Sequence, residues 1–353
     1  MNLDDWRSRI NDLDNQLLDL LNQRAEAALE IGDLKRRTDL APFVPEREAE
    51  ILDRLVELNA GPLPTDAVRA IWREVMSASR ALEQALPVAY LGPKATFCHQ
   101  AALQRFGASG EFVPVRTVAD VFDEVERGRA EYGVVPVENS TEGAVNVTLD
   151  RLIESPVLIC GEVRLEIAQY LLSRATDLDQ IKTLCSHAQA LAQCRGWISD
   201  HLPDAAIEEV ASTAAAATLA AQDPTVAAVA SELASQLYGV PILRARIEDS
   251  ASNSTRFLVI GRRPVGVTGR NKTSILFSMR DEPGTLFRIL EPFAHNRINL
   301  TKIESRPTKR RPWEYVMFVD FEGHQSTPAI AAVLAHVRER ALFLKVLGSY
   351  PAV

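Results

Sequence analysis

The chain has 353 residues, 46% of them hydrophobic, 24% charged and 6% aromatic, with a formal net charge of −8. That length exceeds what one hydrophobic core supports, so two or three domains are expected, and the acidic balance excludes the basic face that a nucleic-acid partner requires. Residues Met1 to Arg9 mix acids and bases without an apolar run, which predicts a cytoplasmic chain with no signal peptide, and no stretch reaches membrane-spanning length.

From Leu3 the apolar residues recur as a heptad, with Leu3, Ile10, Leu17 and Ile31 in one row and Trp6, Leu13, Leu20, Ala27 and Leu34 in the other. This predicts a long helix with a partner-facing seam. Arg24 takes the one place in the first row that should be apolar, and a charge on a seam needs a counter-charge. Two readings stay open: a register-setting polar residue in a coiled coil, or an anionic ligand bound within the bundle. Lys35, about three turns on, projects from nearly the same face. Arg7 lies roughly 26 Å back along a straight helix, so it can serve such a ligand only from another chain. Pro42 and Pro45 should break the helix, Glu46-Arg47-Glu48 open a second one to about Leu58, and Gly61-Pro62-Leu63-Pro64 form a turn. Thr65 should then cap a third helix to about Leu86. On that helix Ser79 and Glu83 share a face at i, i+4.

With these features residues 1–86 resemble the all-helical chorismate mutase family. The resemblance implies that Arg7 (from a partner subunit) and Arg24 hold the two substrate carboxylates, and that Lys35 and Glu83 meet the ether oxygen. It also implies that Arg47, Glu48 and Ser79 surround the substrate, with Glu48 at the hydroxyl. Val44 stands where some members carry an acid, and Glu83 where some carry glutamine. A pericyclic rearrangement needs no base or nucleophile, only a cage that compresses the chair and stabilises charge developing on the ether oxygen.

Pro87 ends the helical pattern, and short apolar strands then alternate with helices over 87–263, which reads as α/β. The strands at 88–91, 132–137, 183–185, 207–211 and 227–230 run into Thr96-Phe97, Glu138-Asn139-Ser140-Thr141, Ser186-His187-Ala188-Gln189, Ser212-Thr213 and Ser231-Glu232. Each joint is expected to put hydroxyls or amides at a strand's carboxyl end before a helix start, where free N–H groups favour anions. Any one of them alone reads as a plain N-cap. Together with Ser252-Asn253-Ser254-Thr255-Arg256-Phe257, which adds a fixed cation to three hydroxyls and an amide, they suggest a shared dicarboxylate site. Cys98, Cys160, Cys185 and Cys194 have neither CxxC spacing nor a histidine at metal-ligand spacing, and GxGxxG and P-loop motifs are absent. Reduced thiols are therefore expected, and no metal or organic cofactor.

The motifs Leu91-Gly92-Pro93 with Thr96-Phe97, Val137-Glu138-Asn139-Ser140, Ser186-His187 with Gln189-Ala190-Leu191, Ser212-Thr213-Ala214 and Asn253 with Thr255-Arg256-Phe257 make this segment similar to prephenate dehydratase. That implies a two-lobed fold like type II periplasmic binding proteins, with the site between the lobes and Thr255 as the catalytic hydroxyl. Thr96, Glu138, Asn139, Ser140, Ser186, His187, Gln189, Ser212, Thr213, Asn253, Arg256 and Phe257 would surround the substrate. Departures from the pattern are Ala95 for a usual glycine, Cys98 for a serine or threonine, and Ala188 for a proline. Loss of CO2 with expulsion of a ring hydroxyl is driven by aromatisation, so the protein need only orient the diacid and protonate the departing oxygen. His187 is a rival acid.

Residues 262–269 read as a linker. The order that follows is strand, helix, strand, strand, helix, strand over 270–350, a ferredoxin-like βαββαβ module. Pro283-Gly284-Thr285-Leu286 at the helix entry and Glu304-Ser305-Arg306-Pro307 after the second strand make it resemble an ACT domain of the phenylalanine-responsive kind. Lys309-Arg310-Arg311 reads as a solvated loop. Taken together, the resemblances imply a bifunctional enzyme of phenylalanine biosynthesis: chorismate to prephenate, then prephenate to phenylpyruvate, water and CO2. It would act as a homodimer or larger, under L-phenylalanine feedback. Rival readings are a non-catalytic metabolite sensor, a dehydratase whose helical segment is only a dimer clamp, and the same chemistry on arogenate.

Overall fold

The computed structural model describes residues 2–38, 43–250, 252–307 and 315–352. Pro42 and the basic loop Lys309-Arg310-Arg311 lie outside them. Two compact units divide the chain, one of Met1–Pro87 with Phe106–Glu111 and one of Val88–Arg105 with Phe112–Val353. Among the described residues no helix is long and apolar enough to cross a membrane.

The first unit holds helices Leu3–Thr38, Pro45–Leu58 and Thr65–Glu83. The long first helix buries only Ala28 and Gly32. Its two heptad rows stay exposed, Leu3 at 65% and Leu20 at 61% among them. Gly32 suits the crossing, because a Cβ there would come within 3.1 Å of the Glu83 side chain, tighter than an ordinary contact. Two boundaries differ from the sequence expectation. Pro64, extended at ψ 151°, is the cap residue and Thr65 the first helical one, with no side-chain cap bond. The helix also stops at Glu83 rather than Leu86, since Pro87 already opens a strand and the residue before a proline avoids the helical region.

The second unit contains two lobes and the C-terminal module. In the first lobe the strand order is Glu111–Val115, Pro87–Leu91, Tyr132–Asn139, Ser254–Gly261, Leu158–Glu166, with Gly143–Ala144 pairing off Tyr132–Asn139. In the second it is Ile242–Arg244, Tyr170–Ser173, Val226–Ala230, Thr183–Ser186, Ala206–Glu209. The chain crosses between lobes twice, after Glu166 and before Ser254, which is the two-lobed arrangement expected of type II periplasmic binding proteins. Helix Thr213–Gln222 seats itself on the second sheet through Ala214, Ala216, Ala217 and Ala220, all fully buried. Only side chains this small allow the backbone so close.

The module has strands Asn271–Ser278, Leu300–Pro307, Tyr315–Glu322 and Phe343–Pro351 with helices Thr285–His295 and Pro328–Arg340. Its sheet order, Leu300–Pro307, Tyr315–Glu322, Asn271–Ser278, Phe343–Pro351, is the ferredoxin-like one. One face packs on its own helices through Ile275, Phe277, Ile289, Val319 and Val337. The other sends Leu276, Val316, Phe318, Leu347 and Tyr350 into the core of the first lobe, with Leu258, Ile260, Leu149 and Leu152. Module and lobe therefore share one core.

Candidate active site

In the helical unit, Arg24 Nη1 donates to Ser79 Oγ at 2.5 Å and lies 5.8 Å from the Trp72 ring centroid. Lys35 Nζ donates to Glu83 Oε2 at 3.0 Å. Helix spacing thus delivers Arg24 and Lys35 to the Ser79 and Glu83 face of the third helix. Burial lowers the Arg24 guanidinium below its ordinary value, and Glu83 opposes that. Glu48 takes the inner face of its helix and pairs with Arg80, which also lies 5.0 Å over Phe43. Sequence reading missed Arg80, whose position beside Ser79 is its only signal. Arg47 does not join the cluster: one residue from Glu48 it points outward, exposed, and donates to Glu50 at 3.0 Å. Arg7 is likewise exposed and pairs with Asp4 at 3.4 Å.

In the second unit a cleft of about 480 Å³ opens between the lobes, lined by Thr96, Asn139, His187, Gln189, Ser212, Thr213, Thr255 and Phe257 among others. At its centre two antiparallel strands set Thr255 opposite Asn139. Asn139 Nδ2 donates to Asn253 Oδ1 at 2.8 Å and to Thr255 Oγ1 at 2.9 Å. Its Oδ1 accepts from the backbone N–H groups of Thr141 and Glu142, at 2.9 and 3.1 Å. Since N–H groups can only donate, they fix which way the amide points. Thr255 Oγ1 is then an acceptor toward Asn139, and its own proton is free to be given to a group in the cleft.

Several residues proposed from sequence have side-chain bonds committed to the frame. Asn253 is buried and orients Asn139. Thr96 Oγ1 bonds the carbonyls of Leu91 and Pro93, at 3.0 and 3.1 Å, within its own loop. Ser140 Oγ donates to Ser252 O and accepts from Ser254 N, and Ser186 is buried and donates to Val229 O at 2.6 Å, so neither lines the cleft. Ser212 is a plain N-cap, its Oγ accepting from Ala215 N at 3.0 Å. His187 Nδ1 accepts from Gln189 N at 3.3 Å, which in a neutral ring leaves the proton on Nε2. The joint 138–141 leads to no helix directly: Glu138 and Asn139 end the strand, and helix Asn146–Glu154 follows a short return strand.

Two corrections are larger. Arg256 follows Thr255 on a strand and so faces the opposite side; its guanidinium bonds Glu162, Asp320 and Tyr350, away from the cleft. Glu138 likewise turns outward and pairs with Lys302 at 2.8 Å. Among the described residues no lysine or arginine lines the cleft. The groups there with the chemistry to meet an anion are hydroxyls, amides, His187 and the N–H groups opening helix Thr213–Gln222. Gln169 and Gln193, joined by a 3.0 Å hydrogen bond, also line the cleft. No local pattern announced them, because one sits on the interlobe crossing and the other ends a six-residue helix.

Two of the three departures gain a physical account. Ala95 adopts φ +67°, the left-handed region in which glycine is usual, at a strain of about 1–2 kcal/mol. It is held there by its N–H to His99 Nδ1 at 3.1 Å and by Ser231 Oγ donating to its carbonyl at 3.0 Å. Cys98 lines the cleft, and burial pushes its thiol up to about 12, so it stays neutral. Nothing in the structure explains Ala188.

In the module, Gly284 has φ +78° and caps helix Thr285–His295, with Pro283 O and Thr285 Oγ1 both accepting from Arg288. Leu286 packs on the module's core. Glu304, half-buried, and Ser305 and Pro307, exposed, lie on strand Leu300–Pro307. Arg306 is committed elsewhere: it donates to Asn146 at 2.5 Å and Asp150 at 2.7 Å, on the helix that follows the cleft wall.

Comparison with known proteins finds three family models in order: chorismate mutase type II over residues 6–84, prephenate dehydratase over 88–265 and the ACT domain over 273–338. A bifunctional chorismate mutase/prephenate dehydratase of Aquifex aeolicus is 49% identical over 99% of this chain and 98% of its own. A solved prephenate dehydratase from Arthrobacter aurescens in complex with L-Phe is 33% identical, covering 76% of this chain and 90% of that one, with a TM-score of 0.70. A solved structure described as GqqA, a novel type of quorum quenching acylase, is 29% identical over 76% of this chain and 98% of its own, with a TM-score of 0.68.

Proposed function

This chain belongs to the bifunctional chorismate mutase/prephenate dehydratase family, and from that premise we propose which of its residues carry the two reactions. In the helical unit Arg24 holds a substrate carboxylate, Lys35 and Glu83 meet the ether oxygen, and Ser79 and Glu48 complete the cage. Prephenate is then drawn into the interlobe cleft, where Thr255 protonates the departing ring hydroxyl as CO2 leaves. The observation that carries this second assignment is the Asn139 amide, which occupies a lone pair of Thr255 Oγ1 and leaves its proton for the substrate. Purified protein should convert chorismate through to phenylpyruvate, and conversion should fall when L-phenylalanine is added. A protein that binds these compounds without turnover would be a sensor instead.

The mutase site takes Arg7 from a second copy. Arg7 and Arg24 are too far apart on one helix to share a small diacid, and the eight large apolar residues of the exposed heptad rows offer a second copy on the order of 10 kcal/mol of burial. Dissociation on dilution should therefore abolish mutase turnover.

Glu83 gives a third expectation. An ionised carboxylate would repel charge developing on the ether oxygen, whereas a protonated one donates to it. Glu83→Gln, a permanent donor, should therefore keep mutase turnover, whereas Glu83→Ala, which has no donor, should lower it by at least about 100-fold. An alanine variant with near-normal turnover would place Glu83 away from the ether oxygen.

L-Phenylalanine is assigned to the module at Pro283-Gly284-Thr285-Leu286 and Glu304-Ser305. Deleting the module is no test of this, because it would expose the shared core at Leu258 and Ile260. Gly284→Ala is better: a Cβ there is strained by about 1–2 kcal/mol at φ +78° and lies 3.1 Å from Arg288 Nη1. The concentration for half-inhibition should rise about tenfold, as about 1.4 kcal/mol implies, with uninhibited turnover retained. Unchanged inhibition would move the effector elsewhere.

A further inference from the structure

Strands Tyr132–Asn139 and Ser254–Gly261 place Thr255 opposite Asn139 and, one residue on, Arg256 opposite Glu138. The first pair faces the cleft. The second faces the C-terminal module, and the module grips both of its members. Arg256 Nη1 donates to Asp320 at 2.5 Å and Nη2 to Tyr350 at 3.0 Å, while Lys302 pairs with Glu138 at 2.8 Å. Immediately after Arg256 the register slips: Phe257 faces Pro136, leaving Val137 without an opposite residue. Such a bulge sets the aim of neighbouring side chains.

The Arg256 side of the grip is buried and hydrogen-bonded. Glu162 accepts from Arg256 Nε at 2.6 Å and from Lys272 Nζ at 2.5 Å, and Asp320 accepts also from Ser274 Oγ at 2.5 Å. Glu162, Lys272, Ser274, Asp320 and Tyr350 are each at most 7% exposed. Two cations face two anions, so the cluster is neutral as a whole. Burial would push the Glu162 carboxyl up, but Arg256 and Lys272 outweigh it and hold it below the usual range. A planar arginine bound at all three nitrogens has little freedom to shift without its partners.

We propose that Arg256 is a positioning residue: through Asp320 and Tyr350, with Lys302 on Glu138 beside it, the module sets the geometry of the Thr255–Asn139 pair on the opposite face of the same strands. This rests on Thr255 being the catalytic hydroxyl. It also gives the module a route to the reaction that touches no substrate.

The test is steady-state dehydratase kinetics of the full-length protein with prephenate, with and without L-phenylalanine. Asp320→Asn should lower kcat about tenfold while KM stays within about twofold, leave mutase turnover unchanged and shift the L-phenylalanine half-inhibition. Tyr350→Phe and Lys302→Met, which remove one hydroxyl and one charge, should move the same quantities about threefold. They decide the matter if Asp320→Asn does not fold. Asp320→Glu should restore part of kcat. A raised KM at unchanged kcat would return Arg256 to the substrate and overturn the proposal, as would normal kcat and normal inhibition in all three variants. If Thr255→Val instead retains full turnover, it is the catalytic assignment that falls.

Discussion

Arg24→Ala should lower mutase turnover by at least about 100-fold, the scale of losing one donor aimed at developing or bound charge in a closed site, and leave dehydratase turnover on supplied prephenate largely intact. The guanidinium lies half-buried on Ser79 and near Trp72, its neighbours on the third helix. Alanine removes charge and fork together. Arg24→Lys separates the two, because lysine keeps the charge but not the planar, paired donors that suit a carboxylate; it should recover only a small part of the rate. Chorismate consumption and phenylpyruvate formation from added prephenate are measured on the same preparation. Equal loss of both activities would show that Arg24 holds the fold rather than the substrate.

How far such a site can be read from sequence is shown by Arg24 and Arg256. Arg24 broke a heptad, and a periodic pattern makes its exceptions visible. Helical spacing put Lys35 on nearly the face of Arg24, and Ser79 with Glu83 on one face of another helix; that the two faces meet was implied by the resemblance, and the structure brings all four together. Arg256 was misassigned although the needed rule was available: residues 255 and 256 of one strand face opposite sides, so a cleft holding Thr255 cannot also hold the Arg256 side chain. The same alternation turns Glu138 away while Asn139 faces in. What sequence could not supply was the destination of those side chains. Glu162, Lys272 and Asp320 lie far apart along the chain and meet only because the module packs its second sheet face on the first lobe. The βαββαβ order was legible from strand and helix periods, but which sheet face would stay free was not. Gln169 and Gln193 escaped for a similar reason, since a crossing between lobes has no period to break.

Thr255→Val should reduce dehydratase turnover by about 100-fold or more, the scale of general acid catalysis. Valine keeps the branched shape, and Asn139 Nδ2 retains Asn253 as a partner at 2.8 Å, so the frame should survive the loss of one oxygen. Thr255→Ser keeps the donor but frees its rotamer, and part of the rate should remain. Asn139 offers an independent check, because its amide donates to Thr255 Oγ1. Asn139→Ala should lower kcat with Thr255 intact, and adding Thr255→Val should cost little more, as expected for two residues acting as a unit. The rival is His187, which lines the same cleft and leads helix Ala188–Gln193. A valine variant with near-normal turnover, together with loss of turnover in His187→Gln, would hand the proton to His187.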